Sequence, residues 1–332
     1  MLPPKLKKGD TIGIFSSSYP ITALAPKATQ RAACFLEEQG YRIIMGELSG
    51  KQDCYRSGSI PQRAHELNAL IENPDVKCIM SAIGGMVTNA ILPYLNFATL
   101  QKHPKIIVGY SDTTALLLGT YEKTELVTFY GPSLLGSFAE YPPYNQLSLQ
   151  YFEAVTSGKS SFPLLLPTPE IWSEEAVEYE KLDRPKRGKP NRLLTIHPGK
   201  AQGRLIGGNL NAMTGVWGSP YMPEIRDGDI LLIEDSQKDI ALLERLFSML
   251  KLNGIFDRIG GLILGKHDLL DDRGTGKACY DMLLEVMGKP KIPVLAEFDC
   301  CHTKPMLTMP IGAQIELDAG SQTVTLLNPC VC

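Results

Sequence analysis

Short apolar runs alternate with helical patterns through the first half of the chain. Residues 11–16 form a β-rich apolar run, and residues 26–39 carry helical spacing closed by Gly40. Residues 41–45 then read as a strand, 61–71 as a helix, 76–82 and 105–108 as strands, and 113–121 as a helix. Such βαβα order predicts a mostly parallel sheet covered by helices on both faces. Residues 160–203 break the pattern with prolines, an acidic run (Glu174, Glu175, Glu178, Glu180) and a basic one (Lys181, Arg184, Lys186, Arg187, Lys189), as a linker and surface excursion would. Beyond it, 229–233 reads as a strand, 239–252 as a helix with an apolar face through Ile240, Leu243, Phe247 and Leu250, and 262–265 and 294–296 as strands. Two more candidate strands, 314–317 and 323–326, close the chain.

Composition narrows the field. With 332 residues, 44% hydrophobic and 21% charged, the chain is large enough for two α/β domains and too apolar for disorder. A net charge of −3 gives no electrostatic case for nucleic acid or a membrane surface, so a small-molecule partner is expected. No apolar stretch follows the N-terminal lysines to make a signal-peptide core, and no run reaches the roughly 18 apolar residues of a membrane span. The eight cysteines read as free thiols in a reducing cytoplasm. Cys300, Cys301, His302, Cys330 and Cys332 contain no C-x-x-C pair, so no metal is expected there.

The sharpest local feature is Ile106-Ile107-Val108-Gly109-Tyr110-Ser111-Asp112-Thr113-Thr114, an apolar strand running through a tight polar turn into a helix. A serine at such a corner presents its hydroxyl outward, beside backbone N–H groups able to receive an oxyanion. Thr113 stands where the second glycine of G-x-S-x-G would be, and Ser111 could instead cap the helix. A nucleophilic serine needs a base, and the histidines are His65, His103, His197, His267 and His302. His65 and His103 lie in polar surroundings; His197 and His267 sit near strand ends; His302 lies in a loop just beyond the strand at 294–296. Glu234 ends the apolar run 229–233, at the strand edge where α/β sheets place ligands, and would orient the imidazole. It could also serve as a salt-bridge or helix-cap partner. The adjacent glycines of Ile83-Gly84-Gly85-Met86 let backbone N–H groups approach an anion. Neither they nor Ile206-Gly207-Gly208-Asn209 form G-x-G-x-x-G, so no nucleotide cofactor is expected.

Taken together, Gly109-Tyr110-Ser111-Asp112-Thr113-Thr114-Ala115, Ile83-Gly84-Gly85, Gly207-Gly208-Asn209-Leu210, Leu232-Ile233-Glu234-Asp235 and the His302 loop resemble the LD-carboxypeptidase and microcin C immunity peptidases. The resemblance spans nearly the whole chain. It implies an N-terminal Rossmann-like (flavodoxin-like) domain over 1–160, a linker over 161–202, and a C-terminal swivelling β/α domain over 203–332, with the site in the cleft and commonly a homodimer. By resemblance Ser111 is the nucleophile, His302 the general base and acid, and Glu234 the carboxylate that orients it. The N–H groups of Gly85 and Asp112 are the implied oxyanion donors, and no metal or cofactor is required. One branch of the family trims D-alanine from murein tetrapeptides; the other cuts an amide between an acidic amino acid and a nucleotide-like warhead. Glu234-Asp235-Ser236-Gln237-Lys238 is more similar to the second, where Lys238 would read an acidic side chain, Asn211 would contact substrate, and Trp172 on the linker would stack on a nucleobase.

Overall fold

In a computed structural model describing residues 1–332, the first alternation builds a six-stranded sheet. Its order from one edge is Met309–Ile311, Thr128–Tyr130, Ile106–Gly109, Val76–Ser81, Thr11–Phe15 and Arg42–Met45. All neighbours are parallel except the first pair, which is antiparallel. Central strands of a sheet covered on both faces read as continuous apolar runs rather than alternating ones. Thr11–Phe15 and Ile106–Gly109 accordingly bury every residue. The covering helices begin where the sequence supplies caps. At Ile60–Glu72 a full capping box links Ser59 and Gln62, and at Ile240–Leu252 the Asp239 side chain accepts from Leu242 N–H.

The second sheet has eight strands, ordered Leu164–Leu165, Thr323–Leu326, Gln314–Asp318, Lys200–Asn209, Ile230–Glu234, Gly261–Gly265, Val294–Phe298 and Leu194–His197. Its centre, from Lys200–Asn209 to Val294–Phe298, is parallel and its flanks antiparallel. The α/β class expected from the alternation is thus observed, in two sheets. Met309–Ile311 comes from the C-terminal part of the chain yet joins the edge of the first sheet, and one continuous apolar core runs under both sheets.

Some elements carry no period in the sequence. Lys200–Asn209 is the longest strand and is interrupted by Gly203, Gly207 and Gly208. The glycines are required by close approach. Gly207 has φ +124, and a Cβ there would lie 1.9 Å from the Leu232 carbonyl oxygen on the neighbouring strand. Gly207→Ala should therefore cost about 3 kcal/mol or more, as overpacking and backbone strain add, read as a lowered urea midpoint.

Candidate active site

Three loops meet where the carboxyl ends of the two sheets face each other. The first follows Ile106–Gly109. Ser111 has φ +60, in the left-handed region that non-glycine residues seldom adopt, and it opens a single 3-10 turn, Ser111–Thr113, leading into Thr114–Thr124. Strain of this kind is maintained where surrounding structure over-determines it, and a nucleophile elbow is such a place. Gly84 supplies the space. A Cβ on it would sit 2.8 Å from Ser111 Oγ and 3.1 Å from Asp112 N.

The second loop delivers Glu234 from the end of Ile230–Glu234, 2% exposed. Its Oε2 lies 2.7 Å from His302 Nδ1, and its Oε1 accepts from Tyr130 Oη and, at 2.9 Å, from Asn209 Nδ2. Burial alone would raise this carboxyl. The His302 charge and the hydrogen bonds from His302, Tyr130 and Asn209 outweigh it and hold the pKa below the usual value. His302, in the third loop, packs edge-on against Tyr110, with ring centroids 4.9 Å apart. With Nδ1 committed to Glu234, Nε2 is the nitrogen free for chemistry. Ser111 and His302 line one cavity of about 330 Å³, shared with Gly84, Gly85 and Lys238. No direct hydrogen bond joins the serine hydroxyl to the imidazole, a looseness common before substrate binds.

The N–H groups of Gly85 and Asp112 donate to no acceptor in the chain, and both residues line a contiguous cavity of about 270 Å³ with Ser111. Unpartnered backbone donors beside a half-buried, cavity-lining serine can receive a developing oxyanion. Their orientation is fixed from behind. The Asp112 carboxylate accepts from both the N–H and the hydroxyl of Thr88, at 2.9 and 2.7 Å, and Ser18 Oγ accepts from Met86 and Val87 N–H. Asn211 and Lys238 line the same cavity, where the Lys238 ammonium lies 3.8 Å from Asp235. Burial, then the neighbouring Glu234 charge, pushes Asp235 up to about 6.

Trp172 lies apart from these cavities. It belongs to a two-stranded ribbon, Ile171–Trp172 with Lys189–Pro190, and the ammonium groups of Lys189 and Lys266 stand 5.0 and 5.5 Å from its ring centre. The linker nevertheless reaches the site. Glu174, Glu175, Tyr179 and Lys186 line a cavity of about 350 Å³ that also includes His302, and Ser173 pairs with Lys304 two residues beyond it. Of the remaining histidines, His197 Nδ1 meets the Ile292 carbonyl at 2.9 Å, and His65 and His103 are exposed, the first within Ile60–Glu72 and the second at the C-terminal end of Phe97–Lys102. His267 is half-buried with both ring nitrogens shielded from solvent, and this burial lowers its pKa to about 4. Sequence reasoning missed Tyr130 and Asn209, both of which bond Glu234. Asn209 belongs to a glycine motif that the resemblance includes without assigning the asparagine a role, and Tyr130 ends a three-residue strand without periodicity.

Residues 12–131 match the family profile for the LD-carboxypeptidase N-terminal domain, and residues 202–317 match that for its C-terminal domain. The chain is 48% identical over 328 residues to the microcin C7 self-immunity protein MccF of Escherichia coli, covering 98% of this chain and 95% of that one. It superposes on MccF in complex with aspartyl sulfamoyl adenosine with a TM-score of 0.97 at 47% identity, covering 100% of both chains. For MccF in complex with glutamyl sulfamoyl guanosine the TM-score is 0.97 at 48% identity, covering 100% of this chain and 99% of that one.

Proposed function

Because the chain belongs to the LD-carboxypeptidase family of serine peptidases, we propose that it hydrolyses the amide joining an acidic amino acid to a nucleotide-like group, in the manner of a microcin C immunity peptidase. The observation that carries the reading is the buried Glu234–His302 pair at 2.7 Å facing the cavity that holds Ser111. In the reaction, His302 Nε2 takes the Ser111 proton as Oγ attacks the amide carbonyl carbon. Gly85 and Asp112 N–H donate to the oxyanion, and Glu234 stabilises the imidazolium without taking the proton. His302 then protonates the departing nitrogen as the C–N bond breaks, leaving an acyl ester on Ser111. Water, deprotonated by the same imidazole, hydrolyses it. The acidic side chain of the substrate is read by Lys238, which would exchange Asp235 for the substrate carboxylate, with Asn211 beside it. The reading includes a cytoplasmic enzyme and a homodimer, the latter checked by sedimentation velocity.

Lys238→Ala should lower kcat/KM for glutamyl sulfamoyl guanosine by roughly 10- to 100-fold, since a partly exposed lysine contributes at the low end for a charged pair. An analogue with a neutral acyl group should change by less than about threefold, as a neutral side chain offers Lys238 no charge to pair. The other branch of the family supplies the second reading, D-alanine release from a murein tetrapeptide. A purified protein that performs that release and leaves glutamyl sulfamoyl adenosine intact would overturn the first.

A further inference from the structure

Resting on the triad reading above, we propose that Tyr130 is a positioning residue for the reaction, joining the three triad-bearing loops through one side chain and its own backbone. Its hydroxyl accepts from Ser111 N–H at 3.2 Å and donates to Glu234 Oε1. Its carbonyl accepts from the Cys300 thiol, two residues before His302. The residue is fully buried, and its strand pairs with Gly109 on one side and Met309 on the other. Gly208 makes room for the ring: a Cβ there would lie 3.1 Å from Tyr130 Cδ2.

The arrangement does chemistry as well as packing. Burial, followed by the Glu234 charge, raises the Tyr130 pKa well above the usual value, so the phenol remains a donor throughout the working pH range. With Tyr130 and Asn209 both on Oε1, the other oxygen of Glu234 is left to His302 Nδ1. The phenol withdraws charge from the carboxylate. Less charge on Glu234 means less stabilisation of the imidazolium, so loss of the phenol would strengthen the hold of Glu234 on the charged ring. The same hydroxyl receives Ser111 N–H, which orients the strained turn and leaves the next N–H, that of Asp112, for the oxyanion.

His302 is also faced by Asp235 and Lys238 beyond Glu234, by His267 and Asp268 after Gly261–Gly265, by Tyr110 beneath it, and by Lys304 on its own loop. None of these is altered by Tyr130→Phe, so a change in the His302 titration reports the phenol. In that variant kcat for glutamyl sulfamoyl guanosine should fall about 10- to 100-fold, the range for a hydrogen bond to a charged group, with KM within about twofold. The imidazole titration of His302, followed by 15N NMR, should move up by roughly one pH unit for the same lost bond. This titration does not depend on turnover. Failure of the wild type to hydrolyse the substrate overturns the functional reading, whereas an unmoved His302 titration overturns the role of Tyr130. A lower melting temperature with neither the titration nor kcat changed marks a purely structural tyrosine and also overturns it. Should the Phe variant not fold, 3-fluorotyrosine placed at position 130 preserves the shape and strengthens the donor. It should move the His302 titration downward, and an unchanged value contradicts the proposal.

Discussion

Ser111→Ala should lower kcat on glutamyl sulfamoyl guanosine by about 10⁴-fold or more, with only the oxyanion donors and binding left to act. Its hydroxyl takes no part in the internal hydrogen-bond network, which ties the turn down through Tyr130 and Thr88 instead. The fold should therefore survive. The substitution removes one oxygen, retains a Cβ in a pocket already shaped for it by Gly84, and leaves the N–H groups of Gly85 and Asp112 in place. Binding should change little, so substrate affinity by calorimetry should match the wild type while single-turnover hydrolysis disappears. A variant with more than about one-hundredth of wild-type turnover would remove Ser111 from the covalent step, since loss of a nucleophile leaves far less.

Glu234→Gln comes next, with an expected loss of about 10³- to 10⁴-fold in kcat, the scale at which a wrongly held imidazole tautomer limits such sites. Tyr130 and Asn209 both donate to Oε1, so the amide oxygen of a glutamine is drawn to that side. Its NH₂ then faces His302 Nδ1, which must accept, and the ring proton moves to Nε2, where a base is needed. The pH dependence of stability should change too. Glu234 has a folded pKa below its usual value, so it contributes stability that is present above the unfolded carboxyl pKa and lost as pH falls through the lower folded one. The variant should lack that acid-side loss, seen as a flatter melting temperature between neutral and acid pH.

Ser111, Glu234 and His302 were legible as candidates because each follows an apolar strand, and apolar strands are what a sequence announces. Residues 106–109 and 230–234 are buried throughout, so a serine and a carboxylate at their ends stand out against the run before them. Lys238 and Asn211 came by resemblance, and both line the cavity beside Ser111. The supporting contacts were not legible. Tyr130 and Glu234 lie 104 residues apart, and their contact exists only after the two sheets face each other. Thr128–Tyr130 is too short for a period, and Lys200–Asn209 is interrupted by glycines that its neighbours' proximity demands, as the 1.9 Å approach at Gly207 shows. The linker also differs from a plain surface excursion. Glu180 receives the N–H groups of Lys27 and Ala28 at the start of Pro26–Glu38, and Asn191 bonds Asp299 beside the histidine loop, so both of its arms are fastened around the site. Charge runs carry no record of such partners, which are distant in sequence.

The central claim is a covalent step at Ser111 driven by His302 and Glu234, and a serine-reactive phosphonate addresses it directly. Incubation of the folded protein with the reagent, followed by peptide mass spectrometry and assay of glutamate release from glutamyl sulfamoyl guanosine, reads adduct and activity together. The account predicts one adduct, on Ser111, with hydrolysis lost in proportion to labelling and both absent in Ser111→Ala. A folded protein that hydrolyses the substrate at full rate with Ser111 fully modified, or that forms no adduct there while remaining active, would contradict it.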